Sequence, residues 1–440
     1  MNDLSRRLQP PPRLLGTTGD EPPPAAPRFR PRQTGPFGVL DIGTSKIACI
    51  IARCESDLSL RVLGFGWQKG RGVRGGGIVD IDEAERAIRA CVGAAEEQAG
   101  LRLRTVTVNL SCGNPSGRVF NVQWPVGGRA VSEADIRRIL TEARNRGSTE
   151  GRSIIHVLPM EFGADDAQGV VDPRGLHCES LAGRVHIIDA QTTALRNFDA
   201  CLARCDLEMV EPVSAPMAAA MSTLVEDERL LGATVLDMGG GTTGMAVFSG
   251  GHLHHTSQIA LGGNHVTNDL ASILSTTVAH AERLKTVYGN TEGSPDDERE
   301  MLPVPPVGED QHSFTKVPRS MVVNIIRPRI EETFEAVRDR LAEEGLTRLS
   351  GHRVVLTGGA SQLLGVSELA QRVLGRQVRL GRPAPLRGLP DDARGPAFAT
   401  ALGLVAWAAG AGRPAHELEA DAESQGGFLR RIVNFLRDRL

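Results

Sequence analysis

The chain carries one short pattern twice, and this repeat limits the folds that it can adopt. Residues 39–52 read VLDIGTSKIACIIA and residues 235–248 read VLDMGGGTTGMAVF. Each copy is an apolar run that ends in aspartate, a turn of glycine and hydroxyl residues, and a second apolar run, which together predict a β-hairpin. Because the copies lie about one domain length apart, the 440 residues are predicted to contain two related α/β units.

The turns of both hairpins contain the residue types that bind phosphate. Glycine lets backbone N–H groups approach phosphate oxygens closely, hydroxyl groups donate further hydrogen bonds, and a lysine supplies positive charge. The predicted phosphate ligands are Gly43, Thr44, Ser45 and Lys46 in the first turn and Gly239, Gly240, Gly241, Thr242 and Thr243 in the second. A pair of ordinary hairpins with glycine turns is the alternative interpretation.

The aspartates that precede the two turns predict a cation. Asp41 and Asp237 would repel each other across a polyphosphate unless a positive ion lay between them. Carboxylates that serve Mg²⁺ beside phosphate groups commonly reach it through its water ligands. The sequence therefore predicts a nucleotide with Mg²⁺ as the ligand of the paired hairpins.

A third glycine-rich segment follows an apolar run later in the chain. Residues 353–365 read RVVLTGGASQLLG, which predicts a buried strand, a glycine pair and a helix start. A glycine pair at such a junction lets a flat adenine ring lie against the backbone. Three charged residues of the predicted helix 264–287, Glu282, Arg283 and Lys285, could cover the other face of the base, with a solvated helix face as the equal alternative. The predicted nucleoside contacts are Gly358, Gly359, Ala360, Glu282 and Lys285.

Apolar runs alternate with helical patterns along the rest of the chain, which predicts α/β layers. The predicted strands cover 37–42, 47–53, 105–110, 184–189, 233–238, 244–249 and 353–357. The predicted helices cover 82–99, 132–146, 192–205, 215–225, 264–287, 321–344 and 396–409. Residues 290–320 combine several prolines with clustered acids and are predicted to form an exposed excursion.

Composition and charge argue against several classes of protein. The formal net charge is −3, so the chain lacks the basic surface typical of a nucleic-acid binder. Its longest nearly uncharged apolar stretch, 398–410, is shorter than the roughly 20 residues that span a bilayer. The N-terminus has no apolar signal-peptide core, and the seven cysteines never form a CxxC pair, which together predict reduced thiols in a cytoplasmic protein. His252, His254 and His255 are interpreted as part of a solvated turn rather than a metal site.

The three glycine motifs, in this order, resemble the phosphate-1, phosphate-2 and adenosine motifs of the actin/Hsp70/hexokinase superfamily. Within it, residues 37–440 resemble the FtsA family of bacterial cell-division proteins. The stretches that carry this resemblance are GIVDIDEA at 77–84, HVLP at 156–159, RVHIIDA at 184–190, EPVSAPMAAA at 211–220, LGGNHVTNDLA at 261–271 and PRIEETFEAV at 328–337. The resemblance implies a two-lobed α/β actin-like ATPase fold with an FtsA-type subdomain 1C in place of actin's subdomain 1B.

The resemblance also implies a division of the chain into subdomains. Subdomain 1A would comprise 37–82, 166–212 and 384–409, and subdomain 1C would comprise 83–165. Subdomain 2A would comprise 213–262 and 330–383, and subdomain 2B would comprise 263–329. Outside these lie a disordered Pro/Arg-rich tail at 1–36, a flexible linker at 410–425 and a membrane-targeting amphipathic helix at 426–440.

The segment 426–440 reads GGFLRRIVNFLRDRL and predicts a basic amphipathic helix. Apolar side chains fill one arc of the helical wheel and arginines flank it, which favours a helix that lies in the surface of an anionic membrane. A terminal helix packed on the protein's own core is the alternative. The predicted membrane contacts are Phe428, Leu429, Arg430, Arg431, Ile432, Val433, Phe435, Leu436, Arg437 and Leu440.

The resemblance implies an ATP-binding protein with weak or no ATPase activity that self-associates through 1C and domain 2. It would tether polymers of the tubulin-like FtsZ to the inner face of the cytoplasmic membrane at the division septum and recruit later divisome proteins. Arg327 and Arg329 would contact the acidic C-terminal tail of FtsZ, since arginine pairs well with carboxylates. Glu211 could position an attacking water, although a carboxylate near a helix start is the preferred interpretation. The alternatives are a small-molecule kinase of the same fold and an actin-like pilus-assembly protein, and no nucleic-acid partner is expected.

Overall fold

The structure, a computed structural model, describes residues 35–308 and 314–410. The predicted linker 410–425 and helix 426–440 lie outside the described residues apart from Gly410, as do all but the last two residues of the predicted tail 1–36. Within the part of the chain that the structure describes, no helix is long and apolar enough to cross a membrane.

The described strands follow one another from Phe37 to Leu380. They are β1 Phe37–Ile42, β2 Lys46–Cys54, β3 Leu60–Lys69, β4 Val73–Arg74, β5 Gly77–Ile78, β6 Thr105–Leu110, β7 Ser116–Pro125, β8 Arg152–Ala164, β9 Ala167–Val170, β10 Ser180–Gln191, β11 Glu208–Ser214, β12 Ala233–Met238, β13 Thr243–Ser249, β14 His252–Ile259, β15 Met301–Val304, β16 Thr315–Pro318, β17 Arg353–Thr357 and β18 Gln377–Leu380.

The helices are interspersed among these strands, as the sequence predicts. They are α1 Ile81–Ala99, α2 Glu133–Gly147, α3 Thr192–Arg204, α4 Ala215–Thr223, α5 Glu226–Leu231, α6 Gly263–Ile273, α7 Val278–Tyr288, α8 Arg319–Glu343, α9 Val366–Leu374 and α10 Ala399–Ala409. Short 3₁₀ turns occur at Pro295–Glu298, Gly359–Gln362, Asp391–Ala393 and Pro396–Phe398.

Two five-stranded sheets have the same topology. The first has the order β3-β2-β1-β6-β11 and the second has the order β14-β13-β12-β17-β18. In each sheet three successive strands form an antiparallel meander. A fourth strand pairs in parallel with the first strand of the meander, and a fifth pairs in parallel with the fourth. The duplication predicted from the two hairpins is therefore confirmed for the whole sheets, with β1–β2 and β12–β13 as the equivalent hairpins.

Helices α4 and α10 lie between the two sheets. α10 packs on β1, β2 and β6 of the first sheet, α4 packs on β12 and β13 of the second, and the two helices pack against each other. Both are rich in alanine, and a Cβ added at Gly403 of α10 would overlap the carbonyl oxygen of Ala218 in α4. Small side chains thus let two helices fit between the sheets, so the sheets approach each other closely.

A four-stranded antiparallel sheet of order β7-β10-β8-β9 forms a separate unit with α2 on one face. Its core joins Ile136 and Ile139 of α2 to Leu181 and Val185 of β10. The predicted boundaries 83–165 for subdomain 1C do not coincide with this unit. α1 packs on β2 and β3 and β6 pairs with β1, so both belong to the first sheet, whereas the four-stranded sheet continues to the end of β10.

Residues 264–330, which lie between β14 and β17 of the second sheet, differ from their prediction in three places. The predicted helix 264–287 is two helices, because the chain turns at Ser275, whose φ is 48°, and Thr277 caps α7 by accepting from the backbone N–H of His280 at 3.2 Å. The predicted excursion contains the hairpin β15–β16, whose Leu302 and Val304 are buried in the core beneath α8. The predicted boundary at 329/330 also falls inside α8.

The prediction for the three clustered histidines is wrong, whereas the prediction for the cysteines agrees with the structure. His252, His254 and His255 lie in β14 and His255 is buried, so the predicted solvated turn is wrong. In the described ranges no group of three or more histidine, cysteine or acidic residues could hold a metal ion. All seven cysteines are free thiols, as their spacing predicts.

Candidate functional site

The two repeated hairpins have the same turn geometry. The backbone N–H of Gly43 donates to the carbonyl of Lys46 at 2.9 Å, and the N–H of Gly239 donates to the carbonyl of Thr242 at 2.9 Å. Each turn therefore begins two residues after the aspartate and closes three residues later. The sequence similarity of the two copies corresponds to a similarity of backbone structure, which places equivalent N–H groups at the mouth of each hairpin.

The two turns touch each other. A Cβ added at Gly240 would overlap Ser45 Oγ, and one added at Gly241 would lie 2.5 Å from Thr44 Oγ1. Glycine is required at these positions because a side chain would separate the turns. The hydroxyl groups of the first turn also bond to segments outside the two turns. The N–H of Gly76, between β4 and β5, donates to Thr44 Oγ1 at 3.1 Å, and Ser45 Oγ donates to Oδ1 of Asn264 in α6 at 3.2 Å.

Asp41 is buried and Asp237 is half-buried at the base of the turns. Asp41 Oδ2 is 3.4 Å from Lys46 Nζ, and Asp237 Oδ2 accepts a hydrogen bond from Thr400 Oγ1 at 2.7 Å. Burial raises the pKa of Asp41, against the opposing charge of Lys46. Burial also raises the pKa of Asp237 to about 6, and the nearby charge of Asp41 adds to that rise. Mutual repulsion between buried carboxylates is relieved by a divalent cation, so this donor set is chemically suited to Mg²⁺.

The side chain of Lys46 contacts both the first sheet and the 3₁₀ turn that precedes α10. Its ammonium group donates to the carbonyl of Ala397 and lies 3.8 Å from the centre of the Phe398 ring. With the Asp41 ion pair, these contacts fix one positive charge beside the first turn. The segment before α10 thus takes part in building the site.

The turns, aspartates and lysine line an open cavity of about 200 Å³. Predicted residues that line it are Asp41, Gly43, Thr44, Ser45, Lys46, Asp237, Gly239, Gly240, Gly241, Thr242, Gly358 and Gly359. Sequence reasoning missed a second group of lining residues, which comprises Gly76, Asn109, Ser111, Ala215, Gly244, Gln258, Ala397 and Thr400. These come from strands and helices far apart in the sequence, and no local pattern marks them.

Thr243 does not line the cavity. Its side chain is buried and its hydroxyl donates to the carbonyl of Leu261 at 2.8 Å. The hydroxyl is therefore used to tie β13 to the loop that follows β14. Thr243 is thus not placed as a phosphate ligand, in contrast to its prediction.

Three of the predicted nucleoside contacts meet beside the second turn, outside the lining of the cavity. Lys285 Nζ is 2.7 Å from Glu282 Oε2 and donates to the carbonyl of Gly263 at 3.1 Å. The N–H of Gly263 in turn donates to the carbonyl of Gly239 at 2.9 Å. A Cβ added at Gly263 would lie 3.3 Å from Ala360 Cβ, so Ala360 faces the same spot.

The remaining predicted residues are spread over the molecule. Glu211 lies in β11 opposite Thr107, within a strand rather than at a helix start, and is not among the described residues that line the cavity. Arg329 makes an internal ion pair with Asp269, at 2.6 Å, and also contacts Glu332. Arg327 is exposed on α8. The predicted membrane contacts of 428–440 lie outside the described residues.

Two family models match the chain. The model described as Cell division protein FtsA matches residues 234–403, and the model described as SHS2 domain inserted in FTSA matches residues 113–189. The first match covers the second five-stranded sheet. The second match coincides with the four-stranded sheet and α2, which agrees with the boundaries seen in the structure.

Curated relatives match over most of their length. The chain is 41% identical over 416 residues to the cell division protein FtsA of Rhizobium meliloti (strain 1021), with 91% of this chain and 93% of the relative covered. It is 31% identical over 421 residues to FtsA of Escherichia coli (strain K12), with 90% and 96% covered. Among solved structures, a chain of the PilM-PilN type IV pilus biogenesis complex is similar with a TM-score of 0.62 at 18% identity, covering 86% of this chain and 99% of that one.

The duplicated sheets, with paired glycine turns around one cavity, define an actin-like ATPase fold, and the solved pilus-complex chain shares that fold. Sequence identity over most of both chains goes further than fold. The chain belongs to the FtsA family of bacterial cell-division proteins. Both the resemblance and the fold class predicted from the sequence are confirmed, and the family decides against the kinase and pilus-assembly alternatives.

Proposed function

We propose that the chain binds ATP with Mg²⁺ in the cavity between the two glycine turns. The observation that supports this most directly is the close approach of Gly240 and Gly241 to Ser45 and Thr44, which brings two sets of backbone N–H groups to one cavity. The N–H groups of both turns and the ammonium of Lys46 would hold the phosphate oxygens. Asp41 and Asp237 would hold Mg²⁺, mostly through its waters, and the ion would neutralise charge on the polyphosphate.

The nucleoside end of ATP would extend toward the 358–360 turn. Gly358 and Gly359 line the cavity, so the sugar or base could lie against their backbone. Ala360 and the ion pair of Glu282 with Lys285 lie beside Gly263, close to the second turn. These three residues would cover the base from the side of α6 and α7.

Removing one carboxylate tests the nucleotide site. Asp237→Ala should abolish Mg²⁺-dependent ATP binding measured by isothermal titration calorimetry, because no other acid of the second hairpin lines the described cavity. Asp391→Ala is the matched control. Asp391 is exposed, lies far from both turns in the sequence and forms a surface ion pair with Arg394. Undiminished affinity in the Asp237 variant would rule out the proposed metal position.

We further propose that the protein attaches FtsZ polymers to the inner face of the cytoplasmic membrane at the division septum. Membership of the FtsA family supports this role, and the segment 426–440 has the pattern of a basic membrane-surface helix. Arg327 is exposed and available to the acidic C-terminal tail of FtsZ. Arg329 is used inside the protein, in its bidentate contact with Asp269, and would support the helix that presents Arg327.

Self-association would strengthen membrane attachment. One amphipathic helix at an anionic surface binds reversibly, whereas a polymer that presents many helices binds through effective concentration. ATP with Mg²⁺ is proposed to hold the two halves together and so to favour assembly through 1C and domain 2. Later divisome proteins would be recruited to the assembled form.

Flotation with liposomes that contain anionic lipid tests the membrane role and the FtsZ role together. The full chain with ATP should carry FtsZ to the lipid fraction, and a 1–425 truncation should not. Ile432→Glu should behave like the truncation because it sets a charge into the apolar arc, whereas Asn434→Glu adds the same charge on the polar side and should float. If the full chain floats without FtsZ, the partner proposal fails while the membrane proposal stands.

A further inference from the structure

One row of residues crosses the second sheet on the face that forms the cavity. In the register of β12 and β13, Asp237 lies opposite Gly244, and in that of β13 and β14, Gly244 lies opposite Gln258. Directly opposite residues in antiparallel strands point to the same face. All three residues line the cavity, so a carboxylate and an amide face it from either side of a glycine.

Gly244 leaves a gap between these two polar side chains. It lies inside β13 and is absent from the described glycines with positive φ, so the backbone does not require glycine there. A Cβ at this position would lie 3.0 Å from Pro216 Cβ and 3.3 Å from Gln258 Nε2. The glycine therefore keeps open the space that the Gln258 amide borders.

The side chain of Gln258 has one unpaired buried polar atom among the described residues. Its Oε1 atom is buried and accepts no hydrogen bond. Both polar atoms of the other amide in the cavity, that of Asn109, have a partner, since Oδ1 accepts from the N–H of Ile42 at 2.7 Å and Nδ2 donates to the carbonyl of Ile42 at 3.4 Å. An unpaired buried amide oxygen is costly, so one at the wall of a ligand cavity indicates a group that serves a water or a ligand.

We propose that Gln258 is a catalytic residue of a slow ATPase and holds the water that attacks the terminal phosphate. This proposal rests on the proposed nucleotide site. With the amide rotated so that Oε1 takes the position of Nε2 beside Gly244, Oε1 would accept a hydrogen bond from the water, and this would direct the water's oxygen toward the phosphorus. The water oxygen bonds to the terminal phosphorus as the bond from that phosphorus to the β–γ bridging oxygen breaks, which gives ADP and phosphate, and the water's proton leaves with the phosphate.

The same geometry accounts for a low rate. An amide can orient a water but cannot take its proton. Among the described residues that line the cavity, the carboxylates are Asp41 and Asp237, and both are assigned to the metal. Glu211, the residue that the sequence suggested for this part, lies outside the lining.

Single-turnover hydrolysis with the full chain tests this proposal. Gln258→Leu should lower the rate of phosphate release at least about tenfold, because it removes the polar group that orients the water. The Kd for a non-hydrolysable ATP analogue with Mg²⁺ should stay within about threefold, because the phosphate ligands are unchanged. Gln258→Asn withdraws the amide by one methylene and should also slow release. Ser257→Ala is the matched control, since Ser257 is the next residue of β14, has an equally unpaired buried hydroxyl and points to the opposite face.

The outcomes separate this proposal from the nucleotide site on which it rests. Equal rates in Gln258→Leu and the unaltered chain would overturn the assignment, as would the absence of hydrolysis by an unaltered chain that binds the analogue. Equal slowing in Ser257→Ala would also overturn it, because the effect would then come from β14 and not from the amide. Failure of the unaltered chain to bind any analogue would overturn the nucleotide site itself and this proposal with it.

Discussion

Thr400 is the residue through which α10 reaches the second hairpin. Its hydroxyl donates to Asp237 at 2.7 Å and so fixes the carboxylate that is proposed to serve the metal. A hydrogen bond to a charged group contributes about 1.5–3 kcal/mol. Thr400→Val keeps the shape of the side chain and should raise the Kd for ATP with Mg²⁺ by roughly tenfold or more, measured by calorimetry. Thr400→Ser keeps the hydroxyl and should bind ATP with Mg²⁺ nearly as well as the unaltered chain. If Thr400→Val binds as tightly as the unaltered chain, the hydrogen bond from Thr400 does not support the metal site.

At the scale of single residues, the sequence could predict only what its own local pattern contains. Asp41, Lys46 and Asp237 stand within repeated hairpins, and the repeat alone identified them. Gln258 reaches the site through a strand register and Thr400 through helix packing, and neither register nor packing is encoded by neighbouring residues. Thr243 has a hydroxyl group suited to phosphate, but its side chain points away from the cavity and bonds to the carbonyl of Leu261. Successive side chains of a strand alternate between faces, and the residue type alone does not show which face a side chain takes.

At the scale of elements, Asp135 holds the start of α2 in the four-stranded unit. The buried carboxylate accepts from Nη1 and Nη2 of Arg129, each at 2.7 Å, and from the N–H of Ser132 at 2.9 Å. The hydrogen bonds from Arg129 and Ser132 hold the pKa of Asp135 well below its usual range, although burial opposes them. The stabilisation is therefore present above the carboxyl's unfolded pKa, about 4, and is lost as the pH falls below it.

Asp135→Asn should accordingly destabilise α2 at neutral pH. The expected loss is about 2 kcal/mol in the free energy of local opening, measured by hydrogen exchange of the α2 amides at pH 7. The difference from the unaltered chain should shrink as the pH falls below about 4, because the Asp135 carboxyl then takes up a proton in the opened state while it keeps its charge in the folded state. Glu142→Gln is the control on the same helix, since Glu142 makes an exposed pair with Arg146 and should change stability by less than about 0.5 kcal/mol. A pH-independent difference for Asp135→Asn would contradict the charge-based explanation.

The errors in predicting the elements of residues 264–320 have physical causes. The pattern of 264–287 is helical throughout, and only the left-handed Ser275 and the capping Thr277 divide it into α6 and α7. Prolines suggested an exposed loop at 290–320, yet Pro303 is tolerated in β15 because that strand pairs on one side only, with β16. The inner strands of the two main sheets and the strands paired with them in the hairpins were predicted, since their apolar runs persist whatever surrounds them. The strands β3, β11, β14 and β18, which lie at the edges of these sheets, were not predicted.

At the scale of the whole molecule, the two halves approach each other at the glycine turns, and one methyl group should be enough to separate them. A Cβ at Gly240 would overlap Ser45 Oγ, which belongs to the other hairpin. Gly240→Ala should therefore weaken ATP–Mg²⁺ binding by at least about a hundredfold, because the overlap must be relieved by moving one turn away from the phosphate positions. Gly93→Ala in α1 is the control, since a Cβ there meets nothing within 4 Å and should leave binding unchanged. Ser45→Gly removes the overlapping side chain, and adding it to Gly240→Ala should restore part of the lost affinity. If the double variant binds no better than Gly240→Ala alone, contact between the turns is not what holds the site together.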